Sequence, residues 1–296
     1  LPRLFNILRK TQYDLLYLNS FFATRFTVAP LMLRRLNCVP KVPTILAPRG
    51  EFSSGALALK NLKKRAYIRS GNSLNLFYNL DWHASTTYEA QDIHAAMSIA
   101  PERILVAANL AAPLPDKIPL HIPRIPGDPL RVVFFSRITP KKNLDFALNV
   151  LSGVDLPIQF SIIGPEEDIA YSVFCRKLAC NLPDHINVIW RGAIPPEEVS
   201  TAIAANDIFF LPTHGENFGH VISEALGAGT PVLLSDTTPW RGLAEIGVGH
   251  DLPLIQPNLF RKVLVESWHQ SQTDAAQIRE RAFAYAHTKQ RNGADV

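Results

Sequence analysis

Two cations, Arg137 and Lys142, lie five residues apart directly after the apolar run Val132–Phe135. If that run is a strand, both side chains belong to the loop at its carboxyl end, where α/β sheets bind ligands. Arginine offers a planar fork of donors and lysine a compact charge, so together they suit a diphosphate. An ordinary basic surface loop is the alternative interpretation.

The segment Thr213–His220 contains Gly215 and Gly219 and leads into a predicted helix, Val221–Ala228. Exposed backbone N–H groups at such a helix start bind anions, and the helix dipole strengthens the attraction. The sequence therefore predicts a second anion-binding loop.

Glu216 and Glu224 are eight residues apart, one just before this helix and one inside it. Carboxylates accept hydrogen bonds from sugar hydroxyls, so two of them beside an anion-binding loop suit a sugar nucleotide. Paired carboxylates also serve glycoside hydrolysis, but the anion-binding loop argues against that reaction. Val221, Ile222 and Leu226 surround Glu224, which favours partial burial over a solvent-facing side chain.

Short, continuous apolar runs alternate with helical segments in the second half of the chain, which predicts a parallel sheet with helices on both faces. The predicted strands are Val132–Phe135, Ile158–Ile163, Asn187–Trp190, Asp207–Leu211 and Pro231–Leu234, and the predicted helices are Leu144–Leu151, Tyr171–Leu182, Glu197–Ala205 and Val221–Ala228. The first half is α/β again, with strands at Leu15–Leu18, Thr44–Leu46, Trp82–Thr86 and Ile104–Val106 and helices at Phe21–Leu36 and Leu57–Arg69.

Six prolines fall between residues 113 and 129, and the sign of the charge changes in the same region. Residues 1–124 carry a net charge of +9 and residues 125–296 carry −5. Because proline lacks an N–H and restricts the residue before it, this stretch predicts an interdomain linker. The basic half suits nucleic acid, an anionic membrane or an acidic substrate, and a solvated basic face is the plain alternative.

Composition excludes several classes of protein. With 47% hydrophobic and 19% charged residues the chain is globular, and no apolar stretch reaches the roughly 20 residues of a membrane-spanning helix. The cysteines Cys38, Cys175 and Cys180 form no Cys-x-x-Cys pair, which argues against a disulfide framework or structural zinc. No Gly-x-Gly-x-x-Gly follows a strand, which disfavours a dinucleotide oxidoreductase. We expect a cytoplasmic protein whose true beginning lies upstream of Leu1.

The second half, over Leu130–Leu254, resembles the donor domain of family 4 retaining glycosyltransferases, which have the GT-B architecture. The family's Arg and Lys after the first donor-domain strand correspond to Arg137 and Lys142, and its Glu-x7-Glu motif corresponds to Glu216 and Glu224. The segments Leu226–Val232 and Trp190–Gly192 also fit the family pattern.

The resemblance implies an α/β, GT-B protein with two Rossmann-like parallel-sheet domains that face a cleft, the first of them incomplete. The implied parts are an N-terminal acceptor domain over 1–112, a Pro-rich linker over 113–129, a nucleotide-sugar donor domain over 130–275 and a C-terminal helix or tail over 276–296. The family's opening strand and Gly-rich loop have no counterpart in this sequence.

The resemblance also implies a role for each matching residue. Arg137 and Lys142 would bind the donor diphosphate and stabilise the leaving nucleotide, and Glu216 would hold the donor sugar; these three form the implied catalytic set. The other implied donor-binding residues are Asn217, Phe218 and Gly219 through their backbone N–H groups, Glu224 at the ribose, and Arg191 and Gly192 beside the base. In this family the cations replace a divalent metal, and this sequence has no Asp-x-Asp motif and no His cluster, so we expect no metal or cofactor.

The first half resembles the acceptor domain more weakly. Ala47–Glu51 contains Arg49 and Gly50 where many members have a histidine near the donor sugar, and a purely structural arginine is the alternative. Cations interleaved with apolar residues on a predicted helix suit an anionic lipid surface, although a core-facing helix with a wet basic side fits equally. The cations are Lys60, Lys63, Lys64, Arg65 and Arg69.

Together these features predict a metal-independent, retaining glycosyltransferase of surface-polysaccharide or lipopolysaccharide synthesis, peripheral on the inner face of the membrane. Its partners would be a nucleotide sugar and a saccharide or lipid-linked saccharide acceptor, and no nucleic acid. One alternative is a nucleotide-sugar-binding fragment without turnover, since the Gly-rich loop is missing. The other alternative is a GT-B sugar-nucleotide epimerase.

Overall fold

The computed structural model describes residues 2–53, 56–57, 61–107 and 113–291. The described residues up to 107 form one compact α/β unit, and those from 113 onward form a second. No helix in these described ranges is both long and apolar enough to cross a membrane.

The first unit is built on a parallel four-stranded sheet in which the strands neighbour one another in chain order. Its strands are β1 (Leu16–Asn19), β2 (Thr44–Ala47), β3 (Asp81–Ala84) and β4 (Ile104–Val106). Its helices are α1 (Pro2–Lys10), α2 (Ala29–Arg35), α3 (Asn61–Ser73) and α4 (Thr87–Met97). Aromatic side chains fill the core, with Phe21 in ring contact with Phe52, Tyr67, Phe77 and Trp82.

The predicted helix Phe21–Leu36 is wrong in its first part. Only a π-helical turn, Thr24–Val28, and α2 form there. The Glu51 carboxylate accepts hydrogen bonds from the backbone N–H groups of Phe21 and Phe22, which fixes this stretch outside a helix. A side chain thirty residues away in sequence therefore overrides the local pattern.

The second unit holds a parallel six-stranded sheet with helices between its strands. Its strands are β5 (Leu130–Phe135), β6 (Ile158–Ile163), β7 (Ile186–Gly192), β8 (Ile208–Leu211), β9 (Val232–Ser235) and β10 (Gly249–Leu252). Its helices are α5 (Leu144–Leu151), α6 (Ile169–Ala179), α7 (Pro196–Ala204), α8 (His220–Gly227), α9 (Leu243–Ile246), α10 (Pro257–His269) and α11 (Gln272–Arg291). The spatial order is β10-β9-β8-β5-β6-β7, so the strand order reverses between β5 and β8.

The predicted parallel sheet is confirmed, because all five strand pairings in this unit are parallel. The apolar runs predict β6 and α5 with the bounds that the structure shows. Strand β10 escapes prediction because its sequence, Gly-His-Asp-Leu, is polar and half-exposed at the sheet edge. Burial on both faces makes the central strands apolar, and an edge strand lacks that signal.

The Pro-rich segment 113–129, which is the predicted interdomain linker, lies within the second unit and packs on it. Leu114 is buried against Gly227 of α8, where an added Cβ would come within 2.5 Å of its side chain. The Arg124 guanidinium donates to the carbonyls of Ser267 and Trp268, near the end of α10. Proline restricts the backbone of this segment, and Leu114 and Arg124 attach it to the unit. We call residues 113–129 the strap.

Residues 276–291 of the predicted C-terminal helix or tail belong to α11, which begins four residues earlier, at Gln272, and residues 292–296 lie outside the described residues. Helix α11 contacts α8. The buried Arg279 donates to the carbonyls of Ala204 and Asn206 at the end of α7. Because a cation at a helix C-terminus satisfies unpaired carbonyls, Arg279 attaches α11 to the unit.

Candidate active site

Two loops meet where the strand order reverses, one after β5 and one after β8. The backbone N–H of His214 and the hydroxyl of Thr213 both donate to the Lys141 carbonyl, at 2.8 and 3.0 Å. The Asn143 side-chain amide donates to the Pro212 carbonyl at 2.9 Å. The two predicted anion-binding segments are therefore joined into one site at the carboxyl ends of the strands, the place where open α/β sheets bind ligands.

Lys142 and Glu216 form the central contact of this site. The Lys142 Nζ lies 2.6 Å from the Glu216 Oε1, and each side chain is only 10% exposed. Partial burial strengthens the attraction, because water screens it less than at the surface. The structure thus places one cation and one carboxylate of the predicted catalytic set side by side.

Arg137 faces a different partner. Its guanidinium Nη1 lies 2.9 Å from the Glu167 carboxylate, and 59% of the arginine side chain is exposed. The two predicted cations lie on one loop, but in this structure each is paired with a different glutamate. A ligand that engages both cations would have to replace both carboxylates.

The loop from Gly215 to Gly219 turns sharply into α8. Gly219 has a φ of +78° and precedes the first residue of the helix, and its Cβ position would lie 2.8 Å from Ile222 Cδ1. The positive φ therefore favours glycine there, and an added Cβ would also push the end of the Ile222 side chain aside. The N–H groups of Phe218 and Gly219 donate to no other residue in the described part of the chain. They supply two donors at a positive helix end.

Glu224 lies within α8, between the buried residues Ser223 and Ala225. Burial raises the pKa of its carboxyl above the ordinary 4.5. Its carboxylate forms no hydrogen bond or ion pair within the described residues. A half-buried carboxylate without a protein partner is free to accept hydrogen bonds from a ligand.

Arg191 and Gly192 end β7, two strands away from the strand reversal. Gly192 has a φ of +69°, and its carbonyl accepts a hydrogen bond from the Gly164 N–H at 2.8 Å. A Cβ on Gly164 would lie 2.0 Å from the Ser136 carbonyl oxygen, so only glycine lets the loops after β5 and β6 approach. Arg191 is exposed beside them.

In the first unit, Arg49 and Gly50 are held by polar contacts of that unit. Arg49 has a φ of +57°, and its guanidinium donates to the Asn19 Oδ1 at 2.6 Å and to the Tyr17 hydroxyl at 3.0 Å. The Gly50 N–H donates to the buried Glu89 carboxylate at 2.6 Å. These three hydrogen bonds fix the loop after β2 and give Arg49 and Gly50 a structural role.

The basic segment on α3 divides into two groups. Lys64 donates to the Ala56 carbonyl and lies 5.0 Å from the centre of the Phe22 ring, so it packs into the unit. Lys63, Arg65 and Arg69 are exposed beside Leu62, which is 86% exposed. Lys60 lies outside the described residues.

Sequence reasoning missed the segment after β9, which supports the candidate site. The Ser235 and Thr237 hydroxyls both donate to the Thr213 carbonyl, and the Trp240 Nε1 donates to the Phe218 carbonyl at 2.9 Å. The sequence does carry a signal for this segment, because polar residues directly follow the predicted strand Pro231–Leu234 at its carboxyl end. Strand β9 is buried along its whole length, and Ser235-Asp-Thr-Thr-Pro-Trp begins at its last residue.

A cavity of about 470 Å³ lies at the opposite end of this sheet, near the first residues of β8, β9 and β10. None of the predicted site residues lines it. Its wall includes Asp207, which accepts hydrogen bonds from His121 and Arg131 and pairs with Arg124. Burial alone would raise the pKa of Asp207, but these hydrogen bonds bring it below its usual range. This cluster attaches the strap to the sheet.

Within the described ranges, no group of three His, Cys, Asp or Glu side chains is placed to hold a metal ion. The charged groups that do converge at the candidate site are Lys142 and Glu216.

Comparison with known proteins agrees with this geometry. The family model for glycosyl transferases group 1 matches residues 121–249, which include both loops of the candidate site. The matched segment is similar to this family, and the chain has the GT-B fold of solved glycosyltransferases.

Relatives and solved structures extend the likeness beyond the matched segment. The chain is 26% identical to an uncharacterized 41.2 kDa protein in the cps region of Klebsiella pneumoniae, over 80% of the chain and 65% of that protein. It is 30% identical to the D-inositol 3-phosphate glycosyltransferase of Rhodococcus erythropolis, over 52% of the chain and 37% of that enzyme. The chain thus spans less than two thirds of each of these relatives. Its fold superposes on Anabaena HepE, solved in complex with UDP and glucose, with a TM-score of 0.67 and 17% identity over 93% of the chain and 74% of HepE.

Proposed function

We propose that this protein transfers a glycosyl group from a nucleoside-diphosphate sugar to an acceptor hydroxyl, with retention of configuration at the anomeric carbon. The observation that carries the proposal is the largely buried Lys142–Glu216 pair beside the Gly215–Gly219 loop, at the strand reversal and within the segment that matches the glycosyl transferases group 1 model. The UDP and glucose bound by HepE support this donor class, and the glycosyltransferase activity named for the Rhodococcus relative supports glycosyl transfer.

The diphosphate would bind between the two loops. Lys142 would exchange Glu216 for a phosphate oxygen, and Arg137 would exchange the exposed Glu167. The Phe218 and Gly219 N–H groups and, by the family pattern, that of Asn217 would donate to the remaining oxygens. As the bond to the sugar breaks, negative charge grows on the leaving diphosphate, and fixed cations and amides stabilise that charge.

The two glutamates would then hold hydroxyl groups. Once released from Lys142, Glu216 can accept hydrogen bonds from the donor sugar. Glu224, half-buried and without a partner among the described residues, would accept them from the ribose. Arg191 and Gly192 would border the base. This division assigns the phosphates, the sugar and the nucleoside to three adjoining parts of one site.

We propose further that the reaction needs no divalent metal or cofactor, because Lys142 and Arg137 supply the positive charge that a metal would supply to the diphosphate. The acceptor would be a saccharide or lipid-linked saccharide of a surface polysaccharide or lipopolysaccharide. Arg49 and Gly50 would border the acceptor side, and the exposed cations of α3 would contact the inner face of the membrane.

A donor panel tests the central proposal. The chain is incubated with UDP-, ADP- and GDP-sugars and simple glycoside acceptors, and mass spectrometry detects transferred sugar and released nucleotide. Lys142→Ala and Glu224→Ala should each lower turnover more than about tenfold, because each removes a charge-assisted contact of about 1.5–3 kcal/mol. Unchanged circular dichroism would show that both variants fold.

The alternatives give different products. A protein that binds a nucleotide sugar without turnover would show heat on titration but no released nucleotide, and an epimerase would convert the donor into its epimer. Either result in place of a transferred sugar overturns the proposal. Loss of transfer in excess EDTA, restored by Mg²⁺ or Mn²⁺, would contradict metal independence alone.

A further inference from the structure

Trp240 contacts the anion-binding loop at its last turn. The indole ring is 2% exposed and donates its N–H to the Phe218 carbonyl at 2.9 Å. Its Nε1 would lie 3.1 Å from a Cβ built on Gly219, so the ring lies directly against the peptide group between these two residues. The Tyr285 ring of α11 packs edge-on against the indole, at 6.2 Å between centroids.

The Phe218 carbonyl and the Gly219 N–H belong to the same peptide group. No peptide bond among the described residues is cis, and in a planar trans peptide the C=O and N–H point in opposite directions. The bond from Trp240 therefore fixes the direction of the Gly219 N–H, which points away from the indole. That N–H has no acceptor within the described residues.

The same segment also fixes the other end of the loop. The Thr237 hydroxyl donates to the Thr213 carbonyl at 2.6 Å, and the Ser235 hydroxyl donates to the same atom. Glycines at both ends leave the loop free to rotate its peptide groups, so these bonds determine which way its N–H groups face.

We infer that Trp240 is a positioning residue, whose indole N–H holds the Phe218–Gly219 peptide in the orientation that donates to the donor's diphosphate. This inference rests on the proposed function, because it names the residue that prepares the phosphate subsite of that same site. Trp240 acts through the peptide group. It orients a donor before the ligand arrives, and such preorganisation removes part of the entropic cost of binding.

Trp240→Phe tests the inference, because it removes the N–H and keeps an aromatic ring. The matched control is Trp268→Phe, which removes an indole N–H that donates to the Asp128 carbonyl at 3.0 Å, at the strap of the same unit. Titration calorimetry measures the Kd for UDP and for uridine, with ADP and GDP and their nucleosides where UDP does not bind. Hydrogen exchange of the unliganded chain follows the amides that are hydrogen-bonded to the loop, those of Ile222 and Ser223, which both donate to the Gly219 carbonyl.

In Trp240→Phe we expect the Kd for the nucleoside diphosphate to rise about fivefold, the size of one lost hydrogen bond. The Kd for the nucleoside should stay unchanged, and exchange of the Ile222 and Ser223 amides should accelerate. In Trp268→Phe, neither Kd nor the exchange of these amides should change. Unchanged diphosphate affinity, or an equal loss for nucleoside and diphosphate, would overturn the positioning role.

The two proposals fail differently. If the wild-type chain binds none of the three nucleoside diphosphates, the proposed function and the phosphate role of Trp240 both fall. If the wild type binds one of them and Trp240→Phe binds it equally well, only the inference on Trp240 falls. If exchange of the Ile222 and Ser223 amides is unaffected in the unliganded variant, the bond to Phe218 does not hold the loop, whatever the ligand.

Discussion

At the scale of single residues, the candidate site contains a lysine, Lys142, that is already in an ion pair with a carboxylate. Glu216 lies where an anionic ligand would approach Lys142, so the carboxylate and a phosphate compete for the same ammonium group. Removing the charge of Glu216 should therefore strengthen the binding of a phosphate ligand, whereas removing a residue of a binding site usually weakens it.

Glu216→Gln should strengthen the binding of a nucleoside diphosphate about fivefold while it weakens sugar transfer. The amide keeps the shape of the side chain but removes the charge that competes for Lys142, a term on the order of 1 kcal/mol. Calorimetric titration with UDP, ADP and GDP measures the first effect, and the transfer assay measures the second.

Glu167→Gln is the matched control, because it removes the partner of Arg137 in an exposed ion pair. Exposed pairs contribute little, so the Kd should change less than about twofold. Weaker diphosphate binding in Glu216→Gln would show that this carboxylate does not compete with the ligand.

Glu224 should make donor binding depend on pH. Burial raises the pKa of its carboxyl above the ordinary 4.5, so it takes up a proton at a higher pH than an exposed glutamate. Protonation removes the charge that strengthens hydrogen bonds from ribose hydroxyls. Affinity for the donor nucleotide should therefore fall as the pH is lowered towards this raised pKa.

Glu224→Gln tests that assignment, because its amide does not titrate in this range. Titrations with nucleotide at several pH values should give weaker binding overall and a flatter pH profile than the wild type. A variant that keeps the wild-type slope would assign the pH dependence to another group.

At the scale of elements, α3 presents one of its faces to solvent as a mixture of cations and an apolar side chain. Lys63, Arg65, Arg69 and Leu62 are exposed, whereas Lys64 packs inward over Phe22. The basic segment in the sequence therefore includes one cation that belongs to the packing of the unit, and the surface available to a membrane is smaller than composition suggests.

Replacing Lys63, Arg65 and Arg69 with glutamine should reduce sedimentation with phosphatidylglycerol vesicles at least tenfold. Each cation near an anionic surface contributes about 1 kcal/mol. The control variant replaces Lys177, Lys262 and Arg291, three exposed cations of the second unit, with the same change in total charge. If sedimentation falls equally in both variants, net charge alone explains the effect. If it does not fall in the α3 variant, α3 does not contact the membrane.

At the scale of the whole chain, the strap over 113–129 is joined to the second unit through Asp207. His121 and Arg124 come from the strap and Arg131 comes from β5, and all three bind this carboxylate. Removing one member of a buried charged cluster leaves the others uncompensated, at a cost of about 3 kcal/mol.

Asp207→Asn should therefore lower the thermal midpoint of the second unit by roughly 10 °C, given a shift of about 2–4 °C per kcal/mol in a domain of this size. Differential scanning calorimetry measures the shift. Asp155→Asn, at an exposed position with no described partner, is the control and should change the midpoint little.

The same variant should change how stability depends on pH. The pKa of Asp207 is lower in the folded protein than its usual 3.8, so its contribution is complete above that value and is lost as the pH falls through the folded pKa. The difference in free energy of unfolding between wild type and Asp207→Asn should be largest above about pH 4 and shrink below it. If this difference in free energy stays constant with pH, protonation of Asp207 does not contribute to acid unfolding.

The sequence by itself determined the parallel sheet of the second unit and the segments of its site. Strands buried on both faces must be apolar throughout, so β6 is evident from composition. Gly219 lies just before the start of α8 and Glu224 lies within it, and the residues around a helix start are neighbours in sequence. Spacing along one loop or helix therefore predicts which residues share an element.

Only the tertiary structure decided which charges meet. Lys142 pairs with Glu216, 74 residues away, and Arg137 pairs with Glu167, although both cations belong to one loop. Asp207 holds the strap to the rest of the second unit, and Trp240, which follows β9, holds the loop that follows β8. Such contacts depend on the order of strands across the sheet and on side-chain directions, and neither leaves a periodic signal in the sequence.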